Sequence, residues 1–245
     1  MMAGRPEIVR VLDVDPELAE DLAPSALAVA RPRALARTVW LEPGPWQPLA
    51  EEWDHRGHFG LLIVDGFVAR SLEVGDRRCA ELLGPGDLLR PWVRVDVGSS
   101  IPIGNGWNVL EVVCLALLDR RFASAVSPWP EITASILDRM MARSRWLAFH
   151  LAVAHLKRVE TRVLVVLWHF ADRWGTVRPD GVLLRINLTH ALLAAIVGSE
   201  RPSVTLALSD LRGRGVVERE RRGLWLLHGG PPEELGHVRR QAAGS

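Results

Sequence analysis

Residues 131–156 contain neither glycine nor proline, although both recur at short intervals before position 130. That contrast restricts the architecture more than any other feature of the chain. Glycine and proline supply the backbone angles of tight turns, so their clustering marks many short elements and their absence permits one long helix. From about 36 to 118 the turn signals are Glu42-Pro43-Gly44-Pro45, Asp65-Gly66, Gly75-Asp76, Gly84-Pro85-Gly86-Asp87 and Gly98. Between them lie strand-like runs at 59–64, 67–74 and 92–97, the last with Val93, Val95 and Val97 alternating against Arg94 and Asp96. Period-two alternation between close turn signals predicts an antiparallel β-sandwich, such as a jelly roll, or a small barrel. Within 131–156, Leu137, Met140, Ser144, Leu147, Leu151 and Ala154 recur at three- and four-residue steps. Such a narrow seam predicts a dimerisation helix joined to a second copy through Leu137, Met140, Leu147 and Leu151, the alternative being a helix buried against its own sandwich.

Beyond the long helix the pattern changes again. Residues 160–174 predict a helix with Val163, Leu164, Leu167, Trp168 and Phe170 on a broad apolar face, and 182–188 alternate as a half-buried strand after the Pro179-Asp180-Gly181 turn. Thr189 is a suitable N-cap for a helix carrying Leu192, Leu193, Ile196 and Val197, which stops at Gly198. A further helix begins around Pro202, a residue suited to a first helical turn, and places Val204, Leu208 and Leu211 on one face. Short strands at 216–219 and 224–228 enclose the basic tip Arg221-Arg222-Gly223. Helix, short turn, helix and basic hairpin together spell a winged helix-turn-helix, whose second helix enters a DNA major groove while the first crosses the backbone.

Net charge separates the same two parts. The whole chain carries a formal charge of only +1, yet residues 157–245 hold fourteen basic and nine acidic side chains while 1–156 hold sixteen and twenty. A basic excess beside the proposed reader is the footprint expected of a phosphate-binding surface. Two cysteines, Cys79 and Cys114, are too few for a disulfide framework or an iron–sulfur cluster, which favours a reducing compartment. The amino-terminal residues lack the continuous apolar core of a signal peptide, and no run approaches the ~20 apolar residues a bilayer span needs, so the expectation is a cytoplasmic protein without a membrane partner. No nucleophile elbow, phosphate-binding Gly-Lys-Ser/Thr loop or His-Glu-x-x-His is present, so no catalytic residue, metal or cofactor is assigned and the chain is not expected to be an enzyme.

The order of sandwich, long helix and winged helix-turn-helix, with LTHALLAAIVG at 188–198 running into SERPSVT at 199–205, resembles the Crp/Fnr family of bacterial transcription regulators. RVETR at 158–162 and LWHFADRWG at 167–175 resemble its actinobacterial branch. The resemblance covers roughly 36–228 and is most specific over 157–228. It implies an α+β chain with a cyclic-nucleotide-binding-like sensory domain at 1–130, a dimerisation helix at 131–156, a DNA-binding domain at 157–230 and a tail at 231–245. Expected partners are double-stranded DNA, a second copy of the chain and RNA polymerase.

Carried over residue by residue, the family pattern matches Arg201 to an arginine that reads guanine, whereas Pro202 stands where the family has a glutamate and Leu206 where it has a second arginine. The DNA-contacting set implied is Thr189, Ser199, Arg201, Ser203, Thr205, Leu206, Ser209 and the wing residues Arg219, Arg221 and Arg222. In the sensory part, Gly84-Pro85-Gly86-Asp87 is similar to the turn before the family's phosphate cassette. The following LLRPWVRVDV at 88–97 lacks the Gly-Glu and the Arg-Ser or Arg-Thr pair that grip a cyclic phosphate. Response to cyclic AMP through that cassette is therefore not expected, since a buried phosphate without such donors is poorly compensated. Gly86, Asp87, Arg90, Trp92, Arg94 and Trp107 are the candidates to line a pocket for a different small-molecule effector, and a regulator without any effector fits the departures equally. The competing reading is a cupin-like metal-binding sensor or enzyme using His55 and His58.

Overall fold

The computed structural model describes residues 7–48, 59–93, 100–221 and 223–232. Two compact units divide the chain, Met1–Arg77 with Glu81–Trp146 and Arg78–Ala80 with Leu147–Ser245. The first contains two antiparallel sheets. One has five strands in the order β1 (Ile8–Arg10), β2 (Leu35–Leu41), β9 (Val113–Leu118), β4 (Gly60–Asp65) and β7 (Leu88–Leu89). The other has the order β3 (Gly44–Trp46), β8 (Gly104–Val109), β5 (Val68–Val74) and β6 (Arg77–Leu83).

Side-chain alternation explains how these sheets are covered. In β4, Leu61 and Ile63 join the core cluster with Val68, Leu83, Trp107 and Val109 of the facing sheet, whereas Leu62 points to a second cluster. In β9, Leu115 and Leu117 take the first side and Ala116 and Leu118 the second. Because successive side chains leave a strand on opposite faces, a strand buried on both must be apolar throughout, which is why 113–118 reads VCLALL without interruption. The second face is covered by α1 (Val11–Val14), a 3-10 turn at Pro16–Ala19, α2 (Pro24–Ala30), α3 (Arg120–Val126) and the start of α4 (Pro130–Ala154). Arg139 of α4 fastens this cover. Its Nη1 donates to Asp15 Oδ2 at 2.5 Å and to the Gly86 carbonyl at 2.8 Å, and its Nη2 reaches Asp15 Oδ1 and Glu17 Oε2. Burial raises the Asp15 carboxyl from its ordinary value against the lowering effect of Arg139.

The predicted long helix is α4, and its core face consists of Ile132 and Ile136, both fully buried, followed by Met140 packed against the same cluster. That corrects the expected seam. Met140 lies one turn after Ile136 on the core side, while Met141 is 61% exposed. Ala134, Leu137, Met141, Ser144, Ala148 and Leu151 are exposed and follow one another at alternating three- and four-residue steps. Leu137 and Leu151 keep their place on this outer stripe and Leu147 stands exposed beside it.

The second unit is built from the last turns of α4, α5 (Val159–Trp174), β10 (Thr176–Arg178), β11 (Gly181–Arg185), α6 (His190–Val197), α7 (Arg201–Gly213), β12 (Val217–Arg221) and β13 (Leu224–Leu227). Its sheet runs β10-β11-β13-β12, all antiparallel. α5 buries Val163, Leu164, Leu167, Trp168 and Phe170, as its broad apolar face predicts. Trp225 of β13 is 1% exposed, and its indole N–H donates to the Ile186 carbonyl at 3.2 Å, fixing the strand that leads into α6. The strand expected at 92–97 lies outside the described residues from 94 onward, and Pro91–Val93 form a turn and bend. No single helix among the described residues is long and apolar enough to cross a membrane.

Candidate functional site

The amino-terminal end of α6 is set by Thr189, whose Oγ1 accepts a hydrogen bond from Leu192 N at 3.1 Å and so satisfies one of the donors a helix start leaves open. The other end is set by Gly198, in the left-handed conformation at φ 63° and ψ 48°, which side chains other than glycine adopt at a cost. From there the chain turns into α7, and the two helices meet at 101°. Arg162 of α5 holds this corner, donating from Nη1 to the Gly198 carbonyl at 3.1 Å and from Nε to the Leu156 carbonyl at 2.6 Å. Pro202 sits in the first turn of α7, where its missing N–H goes unneeded.

Packing then decides which face of α7 is presented. Val204, Ala207, Leu208 and Leu211 are at most 5% exposed and pack inward, as Leu193, Ile196 and Val197 of α6 do. Arg201, Pro202, Ser203, Thr205, Leu206 and Ser209 are all exposed. Ser199 is half-buried in the turn and Thr189 is exposed at its cap position. Thr205 Oγ1 donates to the Arg201 carbonyl at 3.0 Å and lies 2.9 Å from His190 Nδ1. Burial first, and then the charges of Arg219, Arg201 and Arg212, hold the His190 imidazole below its ordinary value. Three guanidinium groups from α7 and β12 therefore act on one ring at the helix-turn-helix surface. His190 and Arg212 escaped the sequence reading, since neither is distinctive until the fold brings them beside Arg201 and Arg219. On the wing, Arg219 stacks its guanidinium 5.0 Å from the Trp225 ring centroid. The Arg221 side chain and Arg222 lie outside the described residues.

In the first unit a cavity of about 350 Å³ is lined by Arg70, Leu88, Arg90, Val93, Trp107, Met140 and Arg143. Of the residues expected there, Arg90 and Trp107 line it. Gly86 and Asp87 do not: the Gly86 carbonyl accepts from Arg139, and Asp87 Oδ2 accepts from Gly84 N at 2.9 Å, closing its own turn. Trp92 is 8% exposed and belongs to the inter-sheet core. Arg94, like His55 and His58, lies outside the described residues. Arg143 makes a two-pronged pair with Glu81 at 2.9 and 2.8 Å, and Arg70 approaches the same carboxylate at 4.0 Å while donating to Asn105 Oδ1 at 3.2 Å. One carboxylate thus faces two of the three cavity arginines, and Arg90 Nε and Trp107 Nε1 are buried without a hydrogen-bond partner. Arg70 and Arg143 come from elements far apart in sequence, which is why spacing alone did not reveal them. Among the described residues no group of three or more His, Cys, Asp or Glu side chains is placed to hold a metal.

A double-sheet domain with a helical cover, a long helix with an exposed stripe and a winged helix-turn-helix make up the architecture. Residues 161–228 match the Crp-like helix-turn-helix domain. The chain is 30% identical over 86 residues to the anaerobic regulatory protein of Bacillus subtilis, a match covering 30% of this chain and 36% of that protein, so it spans about a third of that relative's length. It is 26% identical over 161 residues to the CRP-like cAMP-activated global transcriptional regulator of Mycobacterium tuberculosis, covering 65% of this chain and 71% of the relative. A CooA mutant from Carboxydothermus hydrogenoformans superposes with a TM-score of 0.60 at 17% identity over 98% of this chain and 97% of that one, a likeness that establishes the fold. Residues 161–228 are thus a Crp-like helix-turn-helix domain, and the chain as a whole is similar to transcription regulators of the Crp/Fnr family. These likenesses do not favour the cupin-like alternative.

Proposed function

We propose that the chain acts as a homodimer that binds an inverted repeat in double-stranded DNA, with α7 of each copy in the major groove and the wing arginines on the flanking backbone. The observation that carries this is the exposed outer face of α7, held at 101° to α6 and flanked by Arg201, Arg212 and Arg219. The exposed stripe Ala134, Leu137, Met141, Ser144, Ala148 and Leu151 supports pairing through α4, because a narrow apolar seam is stable only against a partner. The reading assigns the chain no catalysis, places it in the cytoplasm, and makes RNA polymerase its partner at the promoter.

The cavity between β8, β7 and α4 is the effector site in this reading. Its three arginines and tryptophan wall favour a small anion with a flat apolar part, bound without the family's phosphate cassette. Two measurements test the two halves. Affinity of the full chain for duplex DNA should fall steeply with salt, since neutralising each phosphate releases counterions, and an affinity indifferent to salt contradicts the DNA reading. A thermal-shift survey of small aromatic carboxylates should find compounds that raise the melting temperature of the wild type and not of Arg90→Ala; a shift unaffected by that substitution places the ligand elsewhere.

A further inference from the structure

The outermost line of α7 carries an apolar side chain where a reader helix ordinarily presents charge. With Val204, Ala207, Leu208 and Leu211 buried, a period of 3.6 residues puts Pro202, Leu206 and Ser209 directly opposite the core. Arg201 and Arg212 fall toward one flank, where their charges act on His190, and Asp210 toward the other. The pole itself is uncharged. Leu206 is 74% exposed, the most exposed large apolar side chain of the described residues in this helix. Beside it, Thr205 already spends its hydroxyl proton on the Arg201 carbonyl and sits within hydrogen-bond distance of His190 Nδ1.

In a major groove such a pole discriminates among base edges in a definite way. Guanine and cytosine present polar acceptors and donors that lose water against a leucine without gaining a partner, whereas thymine presents a 5-methyl group that loses nothing. We propose that Leu206 is a specificity-determining residue that reads the 5-methyl group of one thymine in each half-site. The inference rests on the DNA-binding reading above and names the base chemistry its reader selects.

The test uses the full chain and duplexes recovered by its binding to a random pool, with thymines replaced one at a time by deoxyuridine, which removes only the methyl. One thymine per half-site should show a loss of roughly fourfold on replacement, as expected for a buried methyl, and replacement in both half-sites roughly fifteenfold. Leu206→Ala, an exposed substitution that leaves the core intact, should bind the thymine and deoxyuridine duplexes equally while keeping its salt dependence. Leu206→Met should retain the discrimination. If selected duplexes bind but no thymine methyl matters, or if Leu206→Ala still distinguishes the two bases, Leu206 does not read the base and the inference falls while DNA binding stands. If no duplex binds in a salt-dependent way, the DNA-binding reading falls and takes the inference with it.

Discussion

The most buried titratable ring of the DNA-binding unit makes that unit sensitive to acid in a calculable way. His169 of α5 is 6% exposed, with its ring 4.9 Å from Phe149, 5.9 Å from His150 and 5.8 Å from Phe170. Burial, then the charges of His150 and Arg173, push its imidazole from 6.5 down to about 3. Above pH ~6.5 the ring is neutral in both folded and unfolded chains and the full stability is present. As pH falls below that value the unfolded chain takes up a proton that the folded chain refuses. Stability then declines by about 1.4 kcal/mol per pH unit until the folded ring protonates near 3, an order of 5 kcal/mol in all. Between pH ~7.5 and ~5 the loss should be about 2 kcal/mol. Urea unfolding of the wild type and of His169→Phe at those two pH values measures it, because phenylalanine suits the aromatic cluster and cannot titrate. The wild type should lose about 2 kcal/mol more than the variant on acidification. Equal losses in the two proteins would refute the account of a ring buried in its neutral form.

Four further substitutions probe the helix corner, the α4 stripe and the arginines of helix and wing. Gly198→Ala forces a side chain into the left-handed conformation, and since its Cβ would meet Ala154 only at an ordinary 3.4 Å, the cost is the backbone's alone, about 1–2 kcal/mol by urea unfolding; a neutral result would contradict the corner's geometry. Met141→Arg changes a side chain that is 61% exposed in the single chain and should leave folding intact while shifting sedimentation from dimer to monomer; an unchanged dimer would move the interface away from this stripe. Arg201→Ala should relax preference at one base pair by about 1–3 kcal/mol, whereas Arg219→Ala should weaken all duplexes alike and reduce the salt slope by about one; reversed effects would exchange the roles of helix and wing.

Parts of this architecture are legible in the sequence because local chemistry dictates them. Thr189, Gly198 and Pro202 each have a physical reason to stand where a helix starts or stops, and the helix-turn-helix follows from their order. The uninterrupted stretch after residue 130 likewise predicts α4. Which stripe of α4 faces outward was harder, since Met140 and Met141 both continue a three-and-four spacing and only the packing of Ile132 and Ile136 decides between them. Residues 8–30 form a three-residue strand and helical elements of one or two turns, too brief for a period to show. The cavity was half legible: Arg90 follows the recognised turn closely and Trp107 offers an aromatic wall, but Arg70 and Arg143 join them only through the antiparallel pairing of β5 with β8 and the approach of α4.

The most direct test of the central claim is selection of bound sequences from random duplexes by the purified full chain. The account predicts an inverted repeat whose two half-sites are centred about one helical turn apart and whose preference at one base pair weakens in Arg201→Ala. Recovery of no common sequence, or of a single half-site without two-fold relation bound by one copy of the chain, would contradict it.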